Sequence, residues 1–535
     1  MAGLPPQDTP HVTWVPMAAI ALGQVIVSYN VAALPVVMGG MVESFGVPAT
    51  AVATGIVAYT MVLAGVVMLG AKLVQRFATL RMFRAAIVVF GAGQALMMAS
   101  PSAAVMIAAQ MVCGGAAALI VPALVALIAE NFEGPRQATA LGVLGSARAA
   151  AGVAAFLLGG ILGTWAGWRP VFAVSVFVGV AALILSFRLE PDQPRPDVKF
   201  DLFGALLAAV AIILVSLGFN QLGSWGVGMA RAGAPFSVLG ISPASLMILC
   251  GVLLGQGFFV WTRRRVAQGK TPLVALQVIE SRGERAAVQA MFAVGALEAA
   301  LNFSIPLYIQ IVQGRSAFAT MVATLPFKLT VLFVAVLVVR YYSRYSPRQI
   351  GRVCFALCAA ALLWLAFVVR NDWREFKVML GMVVFGIGQG ALATLVFNVL
   401  VTASPKSLAG DVGSLRGVTN NLATAVGTAL AGALLVALLS AAVTKQITDN
   451  PTLPPALLSQ VNLDSITFVS NDRLDVVLAN TTATYEQQAE AVRINTESRL
   501  LALKRALLLM AGVALLAIFP ASRLPDYRPG EIPEP

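Results

Sequence analysis

Gly295–Tyr308, GALEAALNFSIPLY, sets one ionisable carboxyl, Glu298, inside a segment too apolar to be a water-soluble helix. The solvent that such a segment needs decides the fold. Its flanks extend the apolar run to about residues 286–312, enough at 1.5 Å per residue to cross a hydrocarbon core of roughly 30 Å. An acid at mid-bilayer costs roughly 2.5–3.5 kcal/mol on insertion scales, so intramembrane carboxylates face a bundle interior or a wet cavity and take partners there. Of the 24 acidic residues, Glu298 alone falls well inside an apolar run. Two readings follow. Either it handles protons or ligand, or it is a structural partner of Lys328 or of Asn302, one turn away on the same helical face.

The rest of the chain demands the same solvent. With 59% hydrophobic and 11% charged residues over 535 positions, and a mean hydropathy of +0.85, no water-soluble core could hide this much apolar surface. The chain reads as an all-α integral membrane protein. MAGLPPQDTPHVTW lacks a basic n-region and leads into an apolar run too long for a signal peptide, so it reads as a tail before a retained span. Cys113, Cys250, Cys354 and Cys358 all lie in apolar runs without metal spacing and read as small buried hydrophobes. The single histidine, His11, sits in the tail. No metal or cofactor site is expected. The net charge of +12 is spread over loops rather than gathered in one soluble domain, which argues for membrane topology and against nucleic acid.

Runs of about 18 or more apolar residues number fourteen. They fall near 14–38, 49–74, 84–99, 103–130, 137–163, 168–187, 201–220, 242–262, 286–312, 316–340, 349–369, 376–403, 412–443 and 501–521. An even count puts both ends on one side. Loops after even-numbered spans hold most of the basic residues, among them Arg76, Arg81, Arg84, Arg136, Arg188, Arg263–Arg265, Arg344 and Arg348. The short loops on the other side hold only Arg169, Arg231, Arg315, Arg370, Arg374 and Lys377. The positive-inside rule then predicts both termini in the cytoplasm.

Six spans (1–187), a linker with two spans (188–284) and six spans (285–535) give the expected domain plan. AKLVQRFATLR after span two and VRYYSRYSPR after span ten are basic tight connections in corresponding positions, a weak internal symmetry of the kind secondary transporters show. The one sizeable external segment, 444–500, starts Pro-rich and ends polar. Thr484 with Gln487 reads as a capping box opening one helix to about 521, roughly 55 Å long. That segment reads equally as a gate, a docking element or a spacer, and Asn480-Thr-Thr as a chance glycosylation sequon.

Ala33-Leu34-Pro35, Gly167-Trp168-Arg169 with Phe172, Thr271-Pro272-Leu273, Pro306–Gln310 with Gly314 and Ser316, Leu325-Pro326, and Asn420-Asn421 with Gly427 occur in an order that resembles the major facilitator superfamily. Nearly the whole chain is covered, and the pattern is similar to the fourteen-span drug/proton antiporter family. The resemblance implies two six-helix bundles around a central cavity, proton-coupled export of small molecules, a multi-pass monomer in the bacterial inner membrane, lipid and protons as partners, no cofactor and no enzyme activity. There are departures. The family's G-x-L-a-D-r-x-G-r-k loop maps onto Ala71–Leu80, where Leu73 and Arg76 match, Gln75 replaces the acid, and Ala71 and Ala78 replace the glycines. Span five keeps Gly159-Gly160 but has Ala155-Phe156 for the family's Gly-Pro. Ile26 stands where span one usually carries an aspartate and Gln110 where span four carries an arginine.

Coupling must then fall to the embedded ionisable set: Arg148, Glu298, Lys328 and Arg416. The resemblance brings spans five and ten together across the cavity and so implies Arg148 and Lys328 beside the substrate path. Glu298 and Lys328 are the candidate proton-coupling residues. Arg148, Asn30, Gln110, Asn302 and Arg416 are the candidate cavity residues, and Gln75, Arg76, Arg344 and Arg348 the candidate gate-loop residues. Structural alternatives stand beside these: Arg148 bonding span-end carbonyls or snorkelling, Arg416 serving packing, and Gln24, Asn30, Gln94, Gln110, Gln389 and Asn398 bonding helix to helix, as embedded amides more often do. A net cationic cavity favours an anionic or carboxyl-bearing amphiphile. An importer or uniporter of an organic anion, and a non-transporting receptor built on 444–500, are the competing readings. The absence of a nucleotide loop, an embedded histidine or a carboxylate dyad disfavours a membrane enzyme.

Overall fold

The computed structural model describes residues 15–526 apart from 133, 190–192, 195, 197–200, 232, 339–340, 342–343, 371–375, 404–408, 449, 451–470 and 480–483. Among the described residues fourteen helices are long and apolar enough to cross a membrane. They are α1 Val15–Val36, α2 Ala49–Phe77, α3 Thr79–Ala99, α4 Ala103–Asn131, α5 Gly134–Trp165, α6 Arg169–Ser186, α7 Leu202–Trp225, α8 Pro243–Ala267, α9 Arg282–Leu307, α10 Ala317–Leu337, α11 Pro347–Val368, α12 Phe376–Ala403, α13 Ala409–Thr448 and α14 Tyr485–Leu516. Short polar residues stop and start them as the backbone requires. Ser281 with Glu284, Ser346 with Gln349 and Thr484 with Gln487 form reciprocal capping boxes at α9, α11 and α14.

Helix ends differ from expectation where the backbone is broken. Pro35 ends α1, and Met38–Phe45 follows as a separate short helix. α9 does not run straight to 312 but widens into a π-helical turn, Tyr308–Val312. α14 ends at Leu516, one turn short of the expected 521, with Ile518–Ala521 as its own short helix. Between α13 and α14 a helix, Asn471–Ala479, seats on α14: Asn471 meets the fully buried Arg499 and the side chains of Asn495 and Thr496. The Pro-rich stretch and the Asn480 sequon lie outside the described residues.

The packing repeats when helix numbers advance by eight. In the first six helices α1 packs on α5 and α6, α2 on α4, α3 on α4, and α3 on α6; in the last six α9 packs on α13 and α14, α10 on α12, α11 on α12, and α11 on α14. Single side chains repeat too. Arg84 of α3 donates to Ser186 O (2.7 Å) at the end of α6, and Arg348 of α11 donates to Leu524 O (3.2 Å) and Asp526 (3.0 Å) beyond α14. Across the two sets, α2 lies on α13 and α5 on α10, and these contacts also exchange under the repeat. The pair α7 and α8 packs on itself and reaches the rest through α7 on α2 and α13.

The α2–α3 connection explains one departure from the family loop. Ala78 takes φ 76°, ψ 124°, a conformation that a Cβ disfavours and that a glycine accepts freely. Ala78→Gly is therefore expected to stabilise the chain by about 1 kcal/mol, read as a higher melting temperature in detergent.

Candidate functional site

Glu298 lies near the middle of α9, and its carboxylate is met from two neighbouring helices. Lys328 of α10 donates to Oε1 at 3.3 Å, and Gln389 of α12 donates to Oε2 at 3.4 Å while also holding Val294 O at 3.0 Å. These helices come close because residues that face them are small: Gly386 and Gly390 of α12 leave no room for a Cβ against the α10 backbone. The carboxylate takes Lys328 and Gln389 as partners, not Asn302, which is half-buried one turn away.

The pair borders a space between the two sets of helices. Glu298 keeps 36% of its side-chain surface accessible, against 10% for Lys328. The Lys328 ammonium rests 5.1 Å from the ring centroid of Phe156, on α5 of the opposite set, and 4.8 Å from that of Phe327. Aromatic faces attract a desolvated cation, so Phe156, which stands where the family has Pro, adds a favourable contact to Lys328 beside its ion pair. Arg148 of α5 is exposed to this space and lies within electrostatic reach of Glu298, Lys328 and Arg416. Arg416 stacks its guanidinium 3.7 Å from the Phe397 ring centroid. The structure thus brings together all four embedded ionisable residues, one acid among three cations.

Asn30 and Gln110 are placed elsewhere than expected. They are 1% exposed, sealed among α1, α3 and α4. Asn30 Nδ2 donates to Gln110 Oε1 at 2.8 Å, and Asn30 Oδ1 accepts from Gln94 at 2.8 Å and from Gln110 at 3.2 Å. These amides bond one another across three helices, with Gln94 Oε1 left without a partner, and in an apolar interior such bonds hold helices together. Asn30→Ala is expected to cost about 1–2 kcal/mol in thermal unfolding and to leave substrate affinity unchanged in a binding assay.

The space closes at one end. There Gln310, in the π-helical turn after α9, bridges to α1. Its Oε1 accepts from Gly39 N at 2.6 Å, and its Nε2 donates to Val36 O at 2.7 Å and Thr320 Oγ1 at 3.1 Å. α1 stops at Val36, so the last carbonyls of that helix, Pro35 O and Val36 O, lack helical partners and take the Gln310 amide. A Cβ on Gly39 would strike Gln310 Cβ at 2.9 Å, so glycine is needed for this approach. Nearby, Gly160 and Gly163 of α5 pack on Met321 and Ala317 of α10, Thr164 Oγ1 accepts from Phe318 N at 2.9 Å, and Trp165 meets Phe318 at 5.6 Å. Toward the other end α5 loosens: a Cβ on Gly152 or Gly145 would meet nothing within 4 Å. There the sets still touch along α2 and α13, where Asp411 lies by Lys72 and accepts from Ala275 N.

The candidate gate loops sit at this loosened end. Gln75 is exposed, Arg76 lies 5.9 Å from the Phe77 ring, Arg344 is exposed, and Arg348 is tied to Asp526 within its own set. Sequence reasoning named Gln310, Gln389 and Phe156 without placing them at the site. A glutamine inside an apolar run was the available signal for the first two. For Phe156 the signal was its place at the family's Pro, although an aromatic in an apolar helix otherwise reads as packing.

Comparison with known proteins adds the following. The sequence model described as the Major Facilitator Superfamily matches residues 20–428. The chain is 28% identical over 374 residues to the cephamycin export protein CmcT of Amycolatopsis lactamdurans, covering 69% of this chain and 74% of that one. It is 23% identical over 412 residues to the methylenomycin A resistance protein of Bacillus subtilis (strain 168), covering 77% and 85%. Among solved structures, a bacterial homolog of the human lysosomal transporter Spinster, inward-facing and unoccupied, superposes with a TM-score of 0.62 at 14% identity, covering 96% of this chain and 98% of that one.

Proposed function

Since the chain belongs to the major facilitator superfamily, and is a multi-pass membrane transporter rather than an enzyme, we propose that it exports amphiphilic small molecules in exchange for protons, with Glu298 as the group for which proton and substrate compete. The observation that carries this reading is the placement of one accessible carboxylate, held by Lys328 and Gln389, beside the space between the two sets of six helices. The relatives named for export and resistance support the direction. The repeated packing supports a cycle in which residues 1–187 and 285–535 rock as units, with 188–284 bridging them. With the basic loops in the cytoplasm, both termini are cytoplasmic, the Gln310 end faces outward, and the protein rests open to the inside of a bacterial inner membrane.

The sign of coupling constrains the substrate. A proton on Glu298 removes a negative charge and makes a cavity with Arg148, Lys328 and Arg416 more attractive to an anion, so a purely anionic substrate binds together with the proton and is carried in the same direction. Export against a proton gradient needs a substrate that competes with the proton, through a cationic or hydrogen-bond-donating group at the carboxylate. An acidic group elsewhere on the same molecule would suit Arg148. Import of a simple organic anion is the second reading, favoured by the excess of cations. Proteoliposomes loaded with a labelled candidate and given a pH gradient of either sign separate the two: efflux driven by proton entry supports exchange, and uptake with protons supports the second.

A further inference from the structure

A second concave site lies away from the central space, at the end where α9 begins. A cavity of about 520 Å³ is lined by Arg282, Arg285, Ala286 and Gln289 of α9 and by Arg523, beyond α14. The α9 residues recur at i, i+3, i+4 and i+7 and so share one face. Sixteen residues separate Arg282 from Glu298, which at about 100° per residue turns the two faces roughly 160° apart. The cavity therefore does not belong to the transport path.

Its charge and surroundings define an occupant. The three arginines are exposed and outnumber the free acids near them in the chain: Glu284 accepts from Ser281 N in the α9 capping box, Asp526 is taken by Arg348 and Ser346, and Glu280 is the remaining, exposed carboxylate. Arg523 stacks over Phe519 at 4.2 Å, and Phe519 and Leu516 are exposed on the outer surface of the α14 end, as residues facing acyl chains must be. Guanidinium groups grip phosphate oxygens through paired N–H donors, and basic pockets between membrane helices at the cytoplasmic surface take anionic headgroups. We propose that this cavity binds the headgroup phosphate of an anionic phospholipid, with the acyl chains lying along the apolar surface that Leu516 and Phe519 begin.

The test uses the full chain, purified and delipidated, with native mass spectrometry and thermal shift in the presence of phosphatidylglycerol, phosphatidylcholine or inorganic phosphate. The wild type is expected to keep phosphatidylglycerol adducts and to melt several degrees higher with that lipid than with phosphatidylcholine. Arg282→Gln, Arg285→Gln and Arg523→Gln together should lose the adducts and the shift while melting as the wild type does in phosphatidylcholine. The triple lysine variant should keep most of both, and Arg263→Gln with Arg264→Gln should keep all. Equal phosphatidylglycerol adducts and shift in the wild type and the triple glutamine variant would overturn the proposal. A shift given by inorganic phosphate alone, lost in the triple variant, would replace the lipid with a free anion and overturn it too.

Discussion

Glu298→Gln is expected to reduce pH-gradient-driven transport in proteoliposomes to the level of protein-free vesicles, while substrate binding in detergent persists. Glutamine keeps the size of the side chain and its bond to Gln389 but can neither release a proton nor hold Lys328 as an ion pair. Coupling fails because the two protonation states that bias the conformational equilibrium no longer exist. Undiminished gradient-driven transport in this variant would remove Glu298 from the mechanism. The partner tests the same idea through stability. Lys328→Met leaves a partly buried carboxylate without its counter-ion, and the 36% accessibility of Glu298 tempers the loss to about 2 kcal/mol, below the roughly 3–5 kcal/mol of a fully buried pair. Adding Glu298→Gln to Lys328→Met should recover most of that loss in thermal unfolding. If the double variant is as unstable as the sum of the singles, the two charges do not act as a pair.

Gln310→Ala is the second large effect. The side chain makes one bond to Gly39 N and another to Val36 O, both joining α9's π-helical turn to the opposite set of helices, and they exist only when that end is closed. At about 1 kcal/mol each, their loss shifts the equilibrium toward the state open at that end by about 2 kcal/mol, or roughly 30-fold. Spin labels at Glu43 and Val322, in a background lacking the four native cysteines, should show a longer distance population growing at the expense of the short one. Gly160→Val should push the same way through a different contact, since a Cβ there already meets Met321 Cβ at 2.5 Å. An unchanged distance distribution in both variants would show that neither contact holds that end closed.

Membrane residence, fourteen spans and the exceptional standing of Glu298 were legible in the sequence. These are matters of transfer free energy and length, summed locally along the chain: apolar runs long enough to cross, and one acid inside them. The partner of that acid was half legible. Lys328 and Asn302 were both within reach on paper, and only the approach of α10 over the glycines of α12 decided for Lys328. Asn30 and Gln110 were left between two readings for a related reason. A buried amide in a sequence has no direction, and whether it lines a cavity or bonds another helix depends on which three helices meet there. Gln310 and Phe156 act across the two sets of helices, between residues more than 150 positions apart, so a local pattern could mark them as unusual but could not name their partners. The sequence by itself determined the solvent, the number of crossings and the one acid that had to be accommodated, because each is a sum over neighbouring residues. The tertiary structure alone decided which groups that acid meets and which end of the space is shut, because those depend on two half-molecules being brought face to face.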